Sequence, residues 1–227
     1  MDKALSWLAN TLDYRFNDEL LFERALTHRS SPGASNERLE FLGDAVLDFA
    51  VSEVVYDAMP EADEGDLSRL RASLVKDTSL AALAAKLGLG EHIILGSGER
   101  KSGGHRRESI LADALEALFG AVFLDAGYDA ARKLIETAFG DRLRELPDPR
   151  DLRDPKTRLQ EWLQARALGL PEYDLANVSG EPHTREFDVR CTVDGGRYQT
   201  NGNGRSRRNA EQAAAEHMLA VLAESKQ

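Results

Sequence analysis

The chain has 227 residues, of which 42% are hydrophobic and 30% charged, enough for one large domain or two small ones with real cores. No apolar run approaches the ~20 residues needed to cross a bilayer, and the opening MDKALSWLANTLDYRF sets Asp2 and Asp13 around a short amphipathic stretch, unlike a signal peptide. Cys191 is the only cysteine, which excludes a disulfide framework and a Cys-based zinc site and leaves a soluble, cytoplasmic protein of the reducing compartment as the plain reading. The net charge of −10 argues against a nucleic-acid partner, but it is unevenly spread. Residues 1–146 carry 17 Lys and Arg against 26 Asp and Glu, whereas residues 154–227 carry 10 against 11. Local placement has to decide.

The first 146 residues read as helix after helix. Asn17-Asp18-Glu19 supplies a cap and first-turn acids ahead of Leu20, Leu21, Ala25 and Leu26. Ser31-Pro32-Gly33 breaks the chain, and a long apolar helix follows from about Asn36 to Met59, stopped by Pro60. Further helices are predicted over 66–76, 78–88 (closed by Gly88), 108–125 and 128–145, with Gly96–Gly104 as a loop. A polar, proline-bearing linker over 147–153 precedes a change of character. A helix over 155–167 leads to strands at Tyr173–Ser179, Glu186–Val193 and Gly196–Thr200, with Gly202-Asn203-Gly204 ending the sheet and a last Ala-rich helix over Ser206–Ala223. The expected layout is an all-α domain (1–146), a linker, and a small α+β domain of order α-β-β-β-α (154–227). There is no internal repeat.

Chemistry concentrates in two helices. Glu37, Glu40 and Asp44 are spaced by three and four residues, so they share one face of a helix otherwise apolar on most sides. Asp113 and Glu116 are the only acids of Ile110–Leu124, again one turn apart. A lone Asp-x-x-Glu is most often a solvated face. Two such sets on nearly apolar helices are costly unless they are paired or bind a metal, and within these helices only Arg38 could serve Glu37. Convergence would give hard oxygen ligands suited to Mg²⁺ or Mn²⁺. A di-iron site would want Glu-x-x-His pairs, and neither helix holds a histidine. A carboxylate-metal centre points to phosphoryl chemistry, and the loop Arg100–Arg107 offers cations for a phosphate backbone. It is not a P-loop, because Arg100 stands where the glycine before Lys-Ser belongs.

Asn36-Glu-Arg-Leu-Glu-Phe-Leu-Gly-Asp44 closely resembles the signature motif of the bacterial ribonuclease III family. Lys101-Ser-Gly-Gly-His-Arg-Arg-Glu-Ser-Ile-Leu-Ala-Asp-Ala-Leu-Glu116 resembles its second acidic segment, and Thr27-His-Arg-Ser30 and Asp63-Glu-Gly-Asp66 also fit. The resemblance implies that Glu40, Asp44, Asp113 and Glu116 form the catalytic metal cluster, with Asp44 and Glu116 the most damaging to lose. Glu37 and Glu64 match accessory acidic positions. It further implies a Mg²⁺-dependent endoribonuclease that processes structured precursors such as rRNA, leaving 5′-phosphate and 3′-hydroxyl ends with short 3′ overhangs. A homodimer with Phe41 near its interface is implied as well.

The last 74 residues are similar to a double-stranded-RNA-binding domain, down to Gly202-x-Gly204-x-Ser206-Arg-Arg-x-Ala210. Three surfaces could meet RNA: Thr157, Gln160, Glu161 and Gln164 on the first helix; His183 in the turn between strands; and Arg207 and Arg208 at the start of the last helix, where the helix dipole also favours phosphate. Taken singly, each has a bland alternative: His183 as a turn residue, Trp162 and Cys191 as core, His28 as structural. No nucleotide cofactor and no membrane contact are expected. Two other classes stay open on the residues alone, a non-cleaving RNA-binding protein and a metal-dependent hydrolase of small nucleotides.

Overall fold

A computed structural model describes residues 1–181 and 183–224. The chain divides into two compact units, Met1–Pro149 and Arg150–Gln227.

The first unit is helical throughout. Its elements are α1 (Asp2–Leu12), α2 (Glu19–Leu26), α3 (Glu37–Ala58), α4 (Glu64–Val75), α5 (Asp77–Leu87), α6 (Ser97–Lys101), α7 (Glu108–Ala126), α8 (Tyr128–Phe139) and α9 (Asp141–Arg144). Capping carboxylates start two of them: Asp18 accepts from the Leu20 amide at 3.0 Å, and Asp63 from the Asp66 amide at 2.7 Å. Gly88 closes α5 in the left-handed conformation at φ 74°. Helix α7 is the hub. Eleven of its 19 residues are buried, Leu115, Leu118 and Phe119 among them, and α2, α3, α5 and α8 pack around it.

The tightest packing lies between α3 and α7. A Cβ on Gly43 would fall 1.8 Å from the Glu116 carbonyl oxygen, and one on Gly120 would fall 2.2 Å from that of Leu39. Two glycines therefore let the helices touch backbone to backbone. The chain entering α2 is tied to the far end of α7 by Asp125, which accepts from the Tyr14 hydroxyl at 2.6 Å and from the Asn17 and Asp18 amides at 2.9 and 2.8 Å. Burial alone would raise this carboxyl, but the hydrogen bonds win and hold it below its ordinary value.

In the first unit three sequence expectations need correction. The stretch 128–145 is two helices, because Gly140 adopts φ 53°, ψ −123° between α8 and α9. The loop 96–104 contains the short helix α6, whose residue Glu99 accepts from Arg107 at 2.9 Å. Helix α3 is not buried all round: Phe41 (81%), Phe49 (57%) and Tyr56 (70%) are exposed along one stripe, and α7 is the truly buried helix.

The second unit holds α10 (Pro155–Gln164), β1 (Glu172–Ser179), β2 (Glu186–Val193), β3 (Tyr198–Gly204) and α11 (Arg207–Glu224). The sheet is antiparallel in the order β1-β2-β3, and Leu159, Leu163, Cys191, Val193, Ala214, Ala215, Met218 and Leu222 form its core with the helices. Gly202 and Gly204 do not end the sheet as expected. They pair with Val189 and Phe187 inside β3. A side chain at 202 would strike the Ala214 nitrogen at 2.2 Å, so the glycine is there for the close approach of α11.

Replacing Gly43 by Ala is expected to lower stability by about 3 kcal/mol or more, because the clash is with backbone that cannot swing away. Urea unfolding of Gly43→Ala beside Ala45→Gly, an exposed position on the same helix, checks this.

Candidate functional site

The backbone contact at Gly43 and Gly120 decides which side chains meet. Glu40 lies one turn before Gly43, and Glu116 one turn before Gly120, so both flank the crossing. Each of Glu40, Asp113 and Glu116 offers a carboxylate oxygen, and the three oxygens lie within 4.8 Å of one another. All three residues are half-buried. Asp44, one turn along α3, is exposed and lies outside this close group, yet among the neighbouring charges it does most to raise Glu116.

The electrostatics follow from the crowding. Glu116 is pushed up to about 8, first by burial and then by Asp44, Glu40, Asp113 and Asp77. Glu40 is raised by burial, then by Asp113 and Glu37, with Arg29 opposing. Asp113 is raised by burial and Asp77, with His28 and Arg29 opposing, and Asp44 by burial, Asp48 and Asp77. Asp77, the first residue of α5, is thus a fifth acid acting on the cluster. Nothing in the sequence reading singled it out. No linear spacing relates it to the motif helices, and only the packing of α5 against α7 brings it in.

The partner of Glu37 is not Arg38. Arg29 approaches it at 3.8 Å and the Ser35 hydroxyl donates to it at 2.8 Å, both from the segment before the helix. His28 is buried beside that segment, its Nδ1 2.8 Å from the Ser30 hydroxyl, and the Gly96 amide donates to the same oxygen at 3.0 Å. Glu64 accepts from Ser68 at 2.8 Å and lines a groove with Ser52, Val55 and Tyr56, at the opposite end of α3 from Glu40. In the basic loop Arg107 is committed to Glu99, while Arg100, Lys101, His105 and Arg106 are exposed.

Hard carboxylate oxygens, gathered without Lys or Arg among them, fit a divalent cation such as Mg²⁺ or Mn²⁺. Such a cation would offset both the burial and the repulsion that hold the Glu116 carboxyl high.

In the second unit Thr157, Gln160 and Arg208 line one groove of about 560 Å³ with Asp154, Lys156 and Gln212. Gln164 closes α10 and is exposed, and His183 is exposed in the β1–β2 turn. Glu161 accepts from Arg153 at 2.5 Å. Arg207 donates to Glu211 at 2.9 Å. The Ser206 hydroxyl accepts from the Asn209 amide at 3.1 Å at the start of α11.

The metal-free protein should lose stability as pH rises. A carboxyl with a raised folded-state pKa contributes stability that is intact below its ordinary value near 4.5 and lost as pH climbs through about 8. With chelator present, Glu116→Gln is therefore expected to unfold at a higher temperature than the wild type at pH 8 and to show no such gain at pH 4.5. Thermal melts at the two pH values check it.

Comparisons with known proteins agree with this division. A family model described as Ribonuclease-III-like matches residues 18–143, and one described as double-stranded RNA binding motif matches residues 155–222. The chain is similar to Ribonuclease 3 of Nitrosococcus oceani, 52% identical over 224 residues covering 98% of this chain and 96% of that one. It is similar as well to Ribonuclease 3 of Methylococcus capsulatus, 55% identical over 224 residues covering 99% and 97%. Among solved structures it resembles the nuclease domain of ribonuclease III from Campylobacter jejuni, described for flexibility in a region involved in dimer formation. That match has 46% identity and a TM-score of 0.56, and it covers 60% of this chain and 98% of that one.

Proposed function

The chain belongs to the ribonuclease III family and is a double-strand-specific endoribonuclease, and we propose that Glu40, Asp44, Asp113 and Glu116 carry its reaction with Mg²⁺. The observation that carries the assignment is the meeting of three carboxylate oxygens from facing helices within 4.8 Å. Glu40, Asp113 and Glu116 would hold the ion directly, with Asp44 adding charge from the next turn and Mn²⁺ able to substitute. When bound, the ion supplies Lewis acidity toward the scissile phosphate and makes water a competent nucleophile at neutral pH. The residues supply the rest. Rigid helices fix three of the acids at one point, and burial strengthens their field there. Arg29, beside Glu37 and Glu40, together with the exposed loop cations Arg100, Lys101 and Arg106, favours the phosphate backbone over a neutral ligand.

Water attack in line with the 3′ oxygen leaves 5′-phosphate and 3′-hydroxyl ends. Staggered cuts giving short 3′ overhangs need two centres, and a two-fold homodimer supplies them. The exposed stripe of Phe41, Phe49 and Tyr56 supports such a dimer, as does the dimer formation described for the Campylobacter jejuni domain. Glu37 and Glu64 are accessory acids that handle the cut strand. Residues 154–227 hold the duplex through Thr157, Gln160, Glu161, Gln164, His183, Arg207 and Arg208, tethered by 147–153 to a catalytic domain of 1–146. No described helix is long and apolar enough to cross a membrane. A cytoplasmic role in processing structured precursors such as rRNA completes the proposal.

The test is cleavage of a long RNA duplex beside its single strand, in Mg²⁺ and in Ca²⁺. Duplex-only cutting in Mg²⁺ that falls on the order of 10³-fold or more in Glu116→Gln, with RNA binding retained, is the expected result. Binding without cutting by the wild type would leave an RNA-binding protein. For the dimer, Phe41→Glu should shift the sedimentation profile from dimer to monomer, and an unchanged profile would count against the stripe as the interface.

A further inference from the structure

In the second unit one carboxylate and one amide join the two elements read as duplex contacts. Glu211 Oε2 accepts from Lys156 Nζ at 2.6 Å, and Oε1 accepts from Arg207 Nε at 2.9 Å. Gln212 Oε1 accepts from the Lys156 amide at 3.1 Å, while its Nε2 donates to Asp154 Oδ1 at 3.0 Å. Asp154 is itself the cap of α10, accepting from the Thr157 amide and hydroxyl at 3.1 and 2.9 Å. Lys156 Nζ also sits 4.4 Å above the Tyr173 ring, so it is held from two sides. The Glu211 side chain is only 14% exposed. Burial would raise its carboxyl, but the bonds from Lys156 and Arg207 hold it below its ordinary value.

These contacts close a ring from the first turn of α10 to the first turn of α11. The groove they frame is the one lined by Thr157, Gln160 and Arg208. A-form RNA is read by shape, so the spacing between a minor-groove contact and a phosphate contact matters as much as either contact alone. We propose that Glu211 and Gln212 are positioning residues for duplex binding: they pin the amino end of α10 to α11, so that Thr157 and Gln160 on one helix and Arg208 on the other address a single duplex together. This rests on the reading of that face as the RNA-binding surface. In this arrangement Lys156 and Arg207 each bond to Glu211, while Arg208 is exposed and lines the groove.

Charge and position predict opposite signs, which makes the idea testable. Removing an acid beside a polyanion should tighten binding if charge alone mattered. Binding of a duplex of about 20 base pairs, longer than the ~16 a domain of this kind spans, would be measured on the full chain with metal chelated. Glu211→Gln is expected to weaken binding several-fold despite the gain in positive charge. Gln212→Ala is expected to raise Kd about tenfold, the scale of two lost hydrogen bonds. Combined with Arg208→Ala, it should lose less than the two single changes together, because a misplaced Arg208 has little left to lose. Tighter binding by Glu211→Gln, or strictly additive losses in the double variant, would overturn the positioning role. If Arg208→Ala itself leaves Kd unchanged, the RNA-binding reading of this face fails first and the positioning role falls with it.

Discussion

The catalytic unit depends on one contact, the backbone meeting of α3 and α7 at Gly43 and Gly120. Packed helices usually sit 8–10 Å apart because side chains hold them there. Here no Cβ intervenes at the crossing, and the carbonyl oxygens of Leu39 and Glu116 occupy the space. That closeness brings Glu40 and Glu116, each one turn away, together with Asp113. A larger residue at either glycine would spread the acids as well as strain the core. The signature motif's glycine and its acids are thus parts of one geometric device.

The same contact creates an electrostatic imbalance. Glu116 is pushed up to about 8 because burial and four acids act on it together. Elsewhere the chain satisfies its acids: Asp125 collects donors from the 14–18 segment, and Glu211 collects Lys156 and Arg207. The acids around Glu116 are instead held near one another, with Arg29 and His28 opposing them. Acids crowded together by rigid helices suit a cation site, because a bound ion offsets their repulsion and displaces the proton as it binds. The exposed aromatic stripe on α3 is a second unsatisfied surface, apolar this time, on the same helix that carries Glu40 and Asp44.

Much of this was legible in the sequence because period and punctuation carried it. The helix at Glu37–Ala58 ends just before Pro60, the first two strands lie where alternation places them while the third starts later and runs on to Gly204, and the acids share faces as their spacing requires. The failures have physical causes. Gly140 was read through as part of one helix and instead breaks it, while Gly202 and Gly204 were read as ending the sheet and instead mark a close approach by α11, which no local pattern reveals. Phe41 and Phe49 belong to a helix read as apolar on most sides, yet both are exposed, because apolar character does not say which neighbour covers a side chain. Asp77 and the Arg29–Glu37 pair depend on tertiary contacts between segments far from the motif helices in sequence or across a break in the chain. The cluster's identity came from resemblance as well as spacing, while its distances came only from the fold.

The most direct measurement is the position of a bound ion. Mn²⁺ scatters anomalously and matches the proposed oxygen ligands, so crystals soaked in it would show the site without reference to activity. The predicted result is a peak within coordination distance of oxygens from Glu40, Asp113 and Glu116 together, vanishing in Glu116→Gln. Manganese bound elsewhere, or held by one of these side chains alone, would contradict the assignment of the cluster as the metal centre.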